Sequence, residues 1–110
     1  MQCRPCITIG VTCPLGCADW QNENCAQVCS SHGLKCSADG LRAVNSCKIL
    51  KEKFPCENGC SESFGPDQPA YVVPSALRMH QPGVCLVNQR GDMFSCDGKH
   101  PNTRRICTCT

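Results

Sequence analysis

The sequence predicts a small disulfide-rich α+β fold. Two short helices, at about 20–32 and 39–53, pack on a short antiparallel β ribbon at about 85–109, and a long irregular loop covers 55–83. Three observations predict it. Fourteen of the 110 residues are Cys, above the level that marks a short chain as a disulfide scaffold. Large aromatics are few, with one Trp, one Tyr and three Phe, so the core is thin and covalent staples carry much of the stability. Helical spacing of apolar residues and Cys in the first half gives way to strand-like runs in the last third. If every Cys pairs, each bridge contributes ~2–4 kcal/mol, an upper bound because bridges share loops.

The elements follow in chain order. Residues 1–18 hold Cys3, Cys6, Cys13 and Cys17 with two prolines and two glycines. They read as an irregular, stapled arm, distinct from a disulfide-stapled α+β module spanning 19–110. In the next stretch Cys25, Val28, Cys29 and His32 fall at i, i+3, i+4 and i+7, one face of a helix. Asp19 is placed to cap its first turn, Glu23 sits in that turn's field, and Gly33 supplies a left-handed stop. Cys25 and Cys29 point the same way from one rigid element, so the expectation is that they bridge to two other segments and not to each other.

Leu41, Val44, Cys47, Leu50 and Phe54 recur at roughly every third position, with Arg42, Lys48, Lys51, Glu52 and Lys53 largely opposite. This predicts one second helix, ended by Pro55. Residues 55–83 contain five Pro and three Gly, including the loop Gly65-Pro66-Asp67-Gln68-Pro69, with Tyr71-Val72-Val73 as one short strand. Cys85-Leu86-Val87 and Met93-Phe94-Ser95-Cys96 flank a turn, and 104–109 forms a third strand with Cys107 and Cys109 on one side. Arg104 and Arg105 then face opposite ways. One pairs with a buried carboxylate or stacks on Trp20, and the other is solvated. The ribbon is expected to be stapled against the first helix.

So many Cys places the protein outside the cell or in an oxidising organelle lumen. No signal or transit peptide is legible, since Ile7-Thr8-Ile9-Gly10-Val11 is too short for a signal core, so the chain reads as a mature form or a fragment. No stretch is long enough to span a membrane. A net charge of +2 with scattered Lys and Arg gives no footprint for nucleic acid. Cys3-x2-Cys6 has metal-knuckle spacing but no matching second pair, so no metal and no cofactor is expected. The disulfide set is then Cys3, Cys6, Cys13, Cys17, Cys25, Cys29, Cys36, Cys47, Cys56, Cys60, Cys85, Cys96, Cys107 and Cys109, with no free thiol. Their connectivity does not follow from spacing. His32, His80 and His100 stand in no triad or metal motif, and Glu57, Glu62 and Asp67 read as solvated loop carboxylates. The chain is therefore expected not to be an enzyme.

A resemblance adds to this reading. Cys25-x3-Cys29-x3-Gly33-x2-Cys36, Leu41, Asn45, Phe54-x-Cys56, a Pro-rich gap, Cys85, Ser95-Cys96 and Arg104-Arg105-x-Cys107-x-Cys109 resemble a cysteine-rich module. It stands at the C-terminal end of the alpha-1,6-mannosylglycoprotein beta-1,6-N-acetylglucosaminyltransferase family and in assorted secreted or lumenal algal and protist proteins. The resemblance covers about 19–109, with Thr108 where that pattern has Pro, and no catalytic glycosyltransferase domain accompanies it. It implies a disulfide-rich accessory module in an oxidising compartment.

Two functional classes remain. The first is a non-enzymatic interaction or structural module that docks on a protein partner or serves as a peripheral subunit of a larger assembly. The second is a secreted soluble effector, an inhibitor, toxin-like or adhesion ligand, acting through loop 61–83 or the Arg90-Gly91-Asp92 turn. The tripeptide suits a hairpin tip on local grounds alone, because Gly91 takes positive φ without cost and Asp92 favours turns. Trp20 caps the small core or anchors a partner. Trp20, Tyr71, Arg90, Gly91 and Asp92 are the candidate interaction residues. A glycan is a permitted ligand that no residue in the sequence specifically points to.

Overall fold

The computed structural model describes residues 21–89 and 94–110, together with the backbone of Cys13–Cys17. In chain order the elements are β1 (Cys13–Cys17), α1 (Cys25–Ser31), α2 (Ala38–Ala43), α3 (Cys47–Lys53), β2 (Cys60–Ser63), β3 (Ala70–Val72), a 3-10 turn (Arg78–His80), β4 (Cys85–Asn88) and β5 (Thr103–Cys109). The strands form one sheet of order β1-β5-β3-β4-β2. Neighbours run antiparallel except β2 and β4, which are parallel. The small disulfide-rich α+β class is the one the composition predicts, while several elements differ in detail.

The first helix is shorter than expected and starts at Cys25. Asn22 adopts a left-handed φ of 68°, which an α-helix cannot contain, and Asn24 caps instead of Asp19. The Asn24 side chain accepts from Gln27 N at 2.7 Å, and Gln27 Oε1 accepts from Asn24 N at 3.0 Å, a reciprocal capping box. The expected stop is present. Gly33 sits at φ 73°. Leu34 N donates to Cys29 O at 2.9 Å and Gly33 N to Ser30 O at 3.0 Å, the two bonds of a Schellman ending.

The predicted second helix is two helices. Its apolar spacing runs unbroken through Val44 and Cys47, but Ser46 caps a new start by accepting from Ile49 N at 3.2 Å. Asn45 is drawn away to β4: its Nδ2 donates to Asn88 O at 3.0 Å, and its Oδ1 accepts from Asn88 N at 2.7 Å. These side chain to backbone bonds compete with helix continuation.

Within the segment read as a long loop, the short strand expected at 71–73 is β3, and β2 and the 3-10 turn are present as well. The last third differs as well. β4 and β5 are not paired with each other, because β3 lies between them. Phe94 to Cys96 forms no strand; Met93 and the Arg90-Gly91-Asp92 turn lie outside the described residues. β1 arises from the stretch expected to be an irregular arm, and pairs with β5 across a bulge at Pro14/Gly16. Cys3, Cys6, the remainder of that arm and Trp20 also lie outside the described residues, as do the side chains of Cys13 and Cys17.

Strand β5 lies between β1 and β3, and its alternate side chains reach opposite faces. On one face Cys107 and Cys109 are bonded to Cys25 and Cys29 of α1. On the other, Arg104 lies 5.7 Å from the Phe54 ring after α3, and Thr108 Oγ1 donates to Ser37 O, the α2 cap residue, at 2.8 Å. The sheet is thus covered by α1 on one side and by α2 and α3 on the other. Leu41, Leu50, Phe54, Tyr71 and Ile106 join the half-cystines in one buried cluster.

Five disulfides join ten of the described cysteines: Cys25–Cys107, Cys29–Cys109, Cys36–Cys96, Cys47–Cys60 and Cys56–Cys85. Cys25 and Cys29 do not bond to each other. Both reach the same strand, and not two separate segments, because the i, i+4 step of a helix matches the i, i+2 step of a facing strand.

Candidate functional site: two clefts beside Phe64

Two openings flank the exposed ring of Phe64, which is 63% accessible. The larger, about 450 Å³, is lined by Phe64, Gly65, Pro66, Asn88, Phe94 and Ser95. Its wall from 94 to 98 is fixed locally. Ser95 Oγ accepts from Asp97 N at 3.0 Å and Gly98 N at 3.1 Å, and Cys96 is tied to Cys36. Gly98 must be glycine, because a Cβ there would collide with the Pro66 carbonyl.

The smaller cleft, about 210 Å³, lies at the ends of β3 and β5. It brings together Phe64, Asp67, Gln68, His80, His100, Asn102 and Thr103. Asp67, read from the sequence as a solvated carboxylate, is 7% exposed and accepts from Thr103 Oγ1 at 2.8 Å. Gln68 is 3% exposed, and its Oε1 is buried without a hydrogen-bond partner. His100 Nδ1 accepts from Asn102 N at 3.0 Å, so its neutral ring carries the proton on Nε2. The His80 and His100 ring centroids are 6.0 Å apart. Among the described residues, no group of three His, Cys, Asp or Glu is placed to hold a metal ion.

Behind Asp67 lies Arg105, wholly buried. Its Nη1 donates to Gly98 O at 2.8 Å, while Nε and Nη2 have no partner. Burial pushes the guanidinium down to about 10, against the opposing attraction of Asp67 and Asp97. Of the two arginines, Arg105 is thus the one near a buried carboxylate, and Arg104 lies over Phe54.

Tyr71 is not on an interaction surface. It is 3% exposed, stacked on Phe54 at 5.2 Å between centroids, and its hydroxyl donates to Glu57 Oε1 at 2.6 Å. Burial, then the Glu57 bond and charge, hold its phenol well above the usual range. Among the described residues, the exposed large apolar side chains are Phe64, Leu77 and Met79. Sequence reasoning did not single these out, because each stands alone in a Pro-rich segment with no periodicity around it.

No protein-family model matches the chain. It is 32% identical over 87 residues to human alpha-1,6-mannosylglycoprotein 6-beta-N-acetylglucosaminyltransferase B. The chain is similar to one part of that transferase. The match covers 77% of this chain and spans about a tenth of the relative's length, so the resemblance carried by the Cys and Gly spacing extends to residue identity over most of the chain. The five disulfides fit maturation in an oxidising compartment. Among the described residues, no helix is long and apolar enough to cross a membrane.

Proposed function

We propose that this protein is a non-enzymatic, disulfide-stabilised interaction module of an oxidising compartment, docking on a larger protein through the apolar cleft beside Phe64. The observation that carries this reading is the cleft itself. Phe64 stays exposed at the rim of about 450 Å³ of space lined also by Pro66 and Phe94, and exposed apolar surface of this kind is a usual mark of association. The choice of a large protein partner rests on the relative, in which the matching stretch is about a tenth of a longer chain. The relative's transferase activity is not carried over, because the chain aligns with so small a share of it.

The test is a photo-crosslinking side chain placed at position 64, with Lys51 as control. One defined protein adduct at 64, absent at 51, should be identified. Its purified complex with this chain should weaken about tenfold with Phe64→Ser, the loss of roughly 1.4 kcal/mol of burial. A monomer that yields no adduct in its native compartment overturns docking. It would leave the soluble effector as the better reading, acting through the turn that exposes Leu77 and Met79.

A further inference from the structure

We propose that the Cys47–Cys60 disulfide is a thiol-exchange site, open to a low-molecular-weight thiol through a third cleft between α3 and β2. The proposal does not depend on what docks beside Phe64.

The five bridges are not equally reachable. Cys25–Cys107, Cys29–Cys109 and Cys56–Cys85 are buried at both ends. Cys47 and Cys60 are each only partly buried, and both line an opening of about 260 Å³ together with Ser61, Glu62 and Val87. The Cys36–Cys96 bridge is also partly buried at both ends, but neither of its residues lines this cleft or the two beside Phe64. Exchange begins with a thiolate attacking a disulfide sulfur, so access decides which bond reacts. Chain length selects the same bond. The two ends of Cys47–Cys60 are 13 residues apart in sequence, against 29, 60, 80 and 82 for the others. The bridge that closes the shortest loop restrains the unfolded chain least, so the fold loses least when it opens. What it ties down is β2, an edge strand whose one neighbour in the sheet is β4.

The charges beside the two sulfurs differ. In β2 the exposed Glu62 stands two residues from Cys60, and so on the same side of the strand. In α3 the exposed Lys51 stands four residues from Cys47, its neighbour on the helix surface. A nearby cation favours a thiolate, and a nearby carboxylate disfavours it. Cys47 is thus the better leaving group, and attack goes to Cys60. The incoming thiolate sulfur bonds to Cys60 Sγ as the bond between the two Sγ atoms breaks, and the electron pair leaves on Cys47 Sγ. The products are a mixed disulfide on Cys60 and a thiolate on Cys47. Attack of that thiolate on the mixed disulfide restores the bridge and releases the small thiol, so no other oxidant or reductant enters.

The test exposes the disulfide-intact protein to cysteamine at neutral pH, quenches with N-ethylmaleimide at timed intervals and maps the modified peptides by mass spectrometry. Among the ten cysteines of the five bridges, the first products should be cysteamine on Cys60 and maleimide on Cys47. They should form about tenfold faster than any adduct at the other four bridges. Lys51→Gln, a change on the exposed side of α3, should slow this exchange about threefold and move part of the cysteamine to Cys47. A bond that is merely exposed would react without that preference between its two sulfurs. Equal or faster reaction at any other of the five bridges, or no adduct on Cys60, would overturn the site. Cysteamine found mainly on Cys47 in the unsubstituted protein would overturn the direction of attack.

Discussion

The side chain of Asn45 hydrogen-bonds the backbone of Asn88 as a neighbouring strand would, donating to its carbonyl at 3.0 Å and accepting from its N–H at 2.7 Å. Asn88 is 4% exposed and lines the larger cleft. Asn45→Ala should remove both of these hydrogen bonds and cost about 2 kcal/mol, and Asn45→Asp should cost less because it keeps the acceptor. Denaturant unfolding of the two variants, disulfides intact, checks the order. Equal losses would mean that the accepted bond contributes nothing.

The two bridges from α1 to β5 should be strongly non-additive. With Cys29–Cys109 in place, Cys25–Cys107 closes only a few extra residues, so its removal as a Cys→Ser pair should cost about 2–3 kcal/mol. Removing both reopens the chain as far as Cys36–Cys96, eleven residues along on each side, and should cost more than the two single losses combined. Thermal melts of the two paired variants and the quadruple variant measure the coupling.

Arg105 and Asp67 should behave as one unit. Burial holds the guanidinium near 10, below its ordinary value, so keeping it charged at neutral pH disfavours folding. Arg105→Met removes that cost but also the bond to Gly98 O and the attraction that favours the buried Asp67 carboxylate, and the net loss is expected at about 3 kcal/mol. Adding Asp67→Asn should recover most of it. A double variant no better than the single one would show that the two side chains are not coupled.

The buried Tyr71 phenol sets an alkaline limit. Its folded value lies above the ordinary 10.0, so its contribution is complete below pH 10 and is lost as pH rises above it, by about 1.4 kcal/mol per unit. Arg105 acts in the opposite sense, because its depressed value adds stability as pH rises through about 10. Comparing wild type with Tyr71→Phe isolates the tyrosine. The variant should lose about 1 kcal/mol at neutral pH with the Glu57 bond, and should lack the downward slope above pH 10 that wild type shows relative to it.

What could be read beforehand follows from locality. Cys25, Val28 and Cys29 mark α1 and Gly33 its end, because helix periodicity and a left-handed stop are written within a few residues. Cys107 and Cys109 mark one face of β5 for the same reason. The break at Asn45 and Ser46 was hidden, since Leu41, Val44, Cys47, Leu50 and Phe54 keep their spacing across it and the cause lies 43 residues away at Asn88. β2 has the sequence Cys-Ser-Glu-Ser, with no apolar alternation, and exists because β4 offers it a parallel edge. Tyr71 was offered as an interaction residue and is core. The smaller cleft joins Gln68 to His100 and Asn102, residues brought together only by the strand order.

The bond from Cys25 to Cys107 also has a mechanical consequence. It joins the first residue of α1 to a position near the end of β5, with Cα atoms 5.4 Å apart. Tension applied to the flanking polypeptide would pass through sulfur and bypass everything between. Phe64, Gln68 and both clefts lie within the bypassed stretch. The module can be pulled from both ends as an inextensible link while the surfaces it offers to other molecules bear no load.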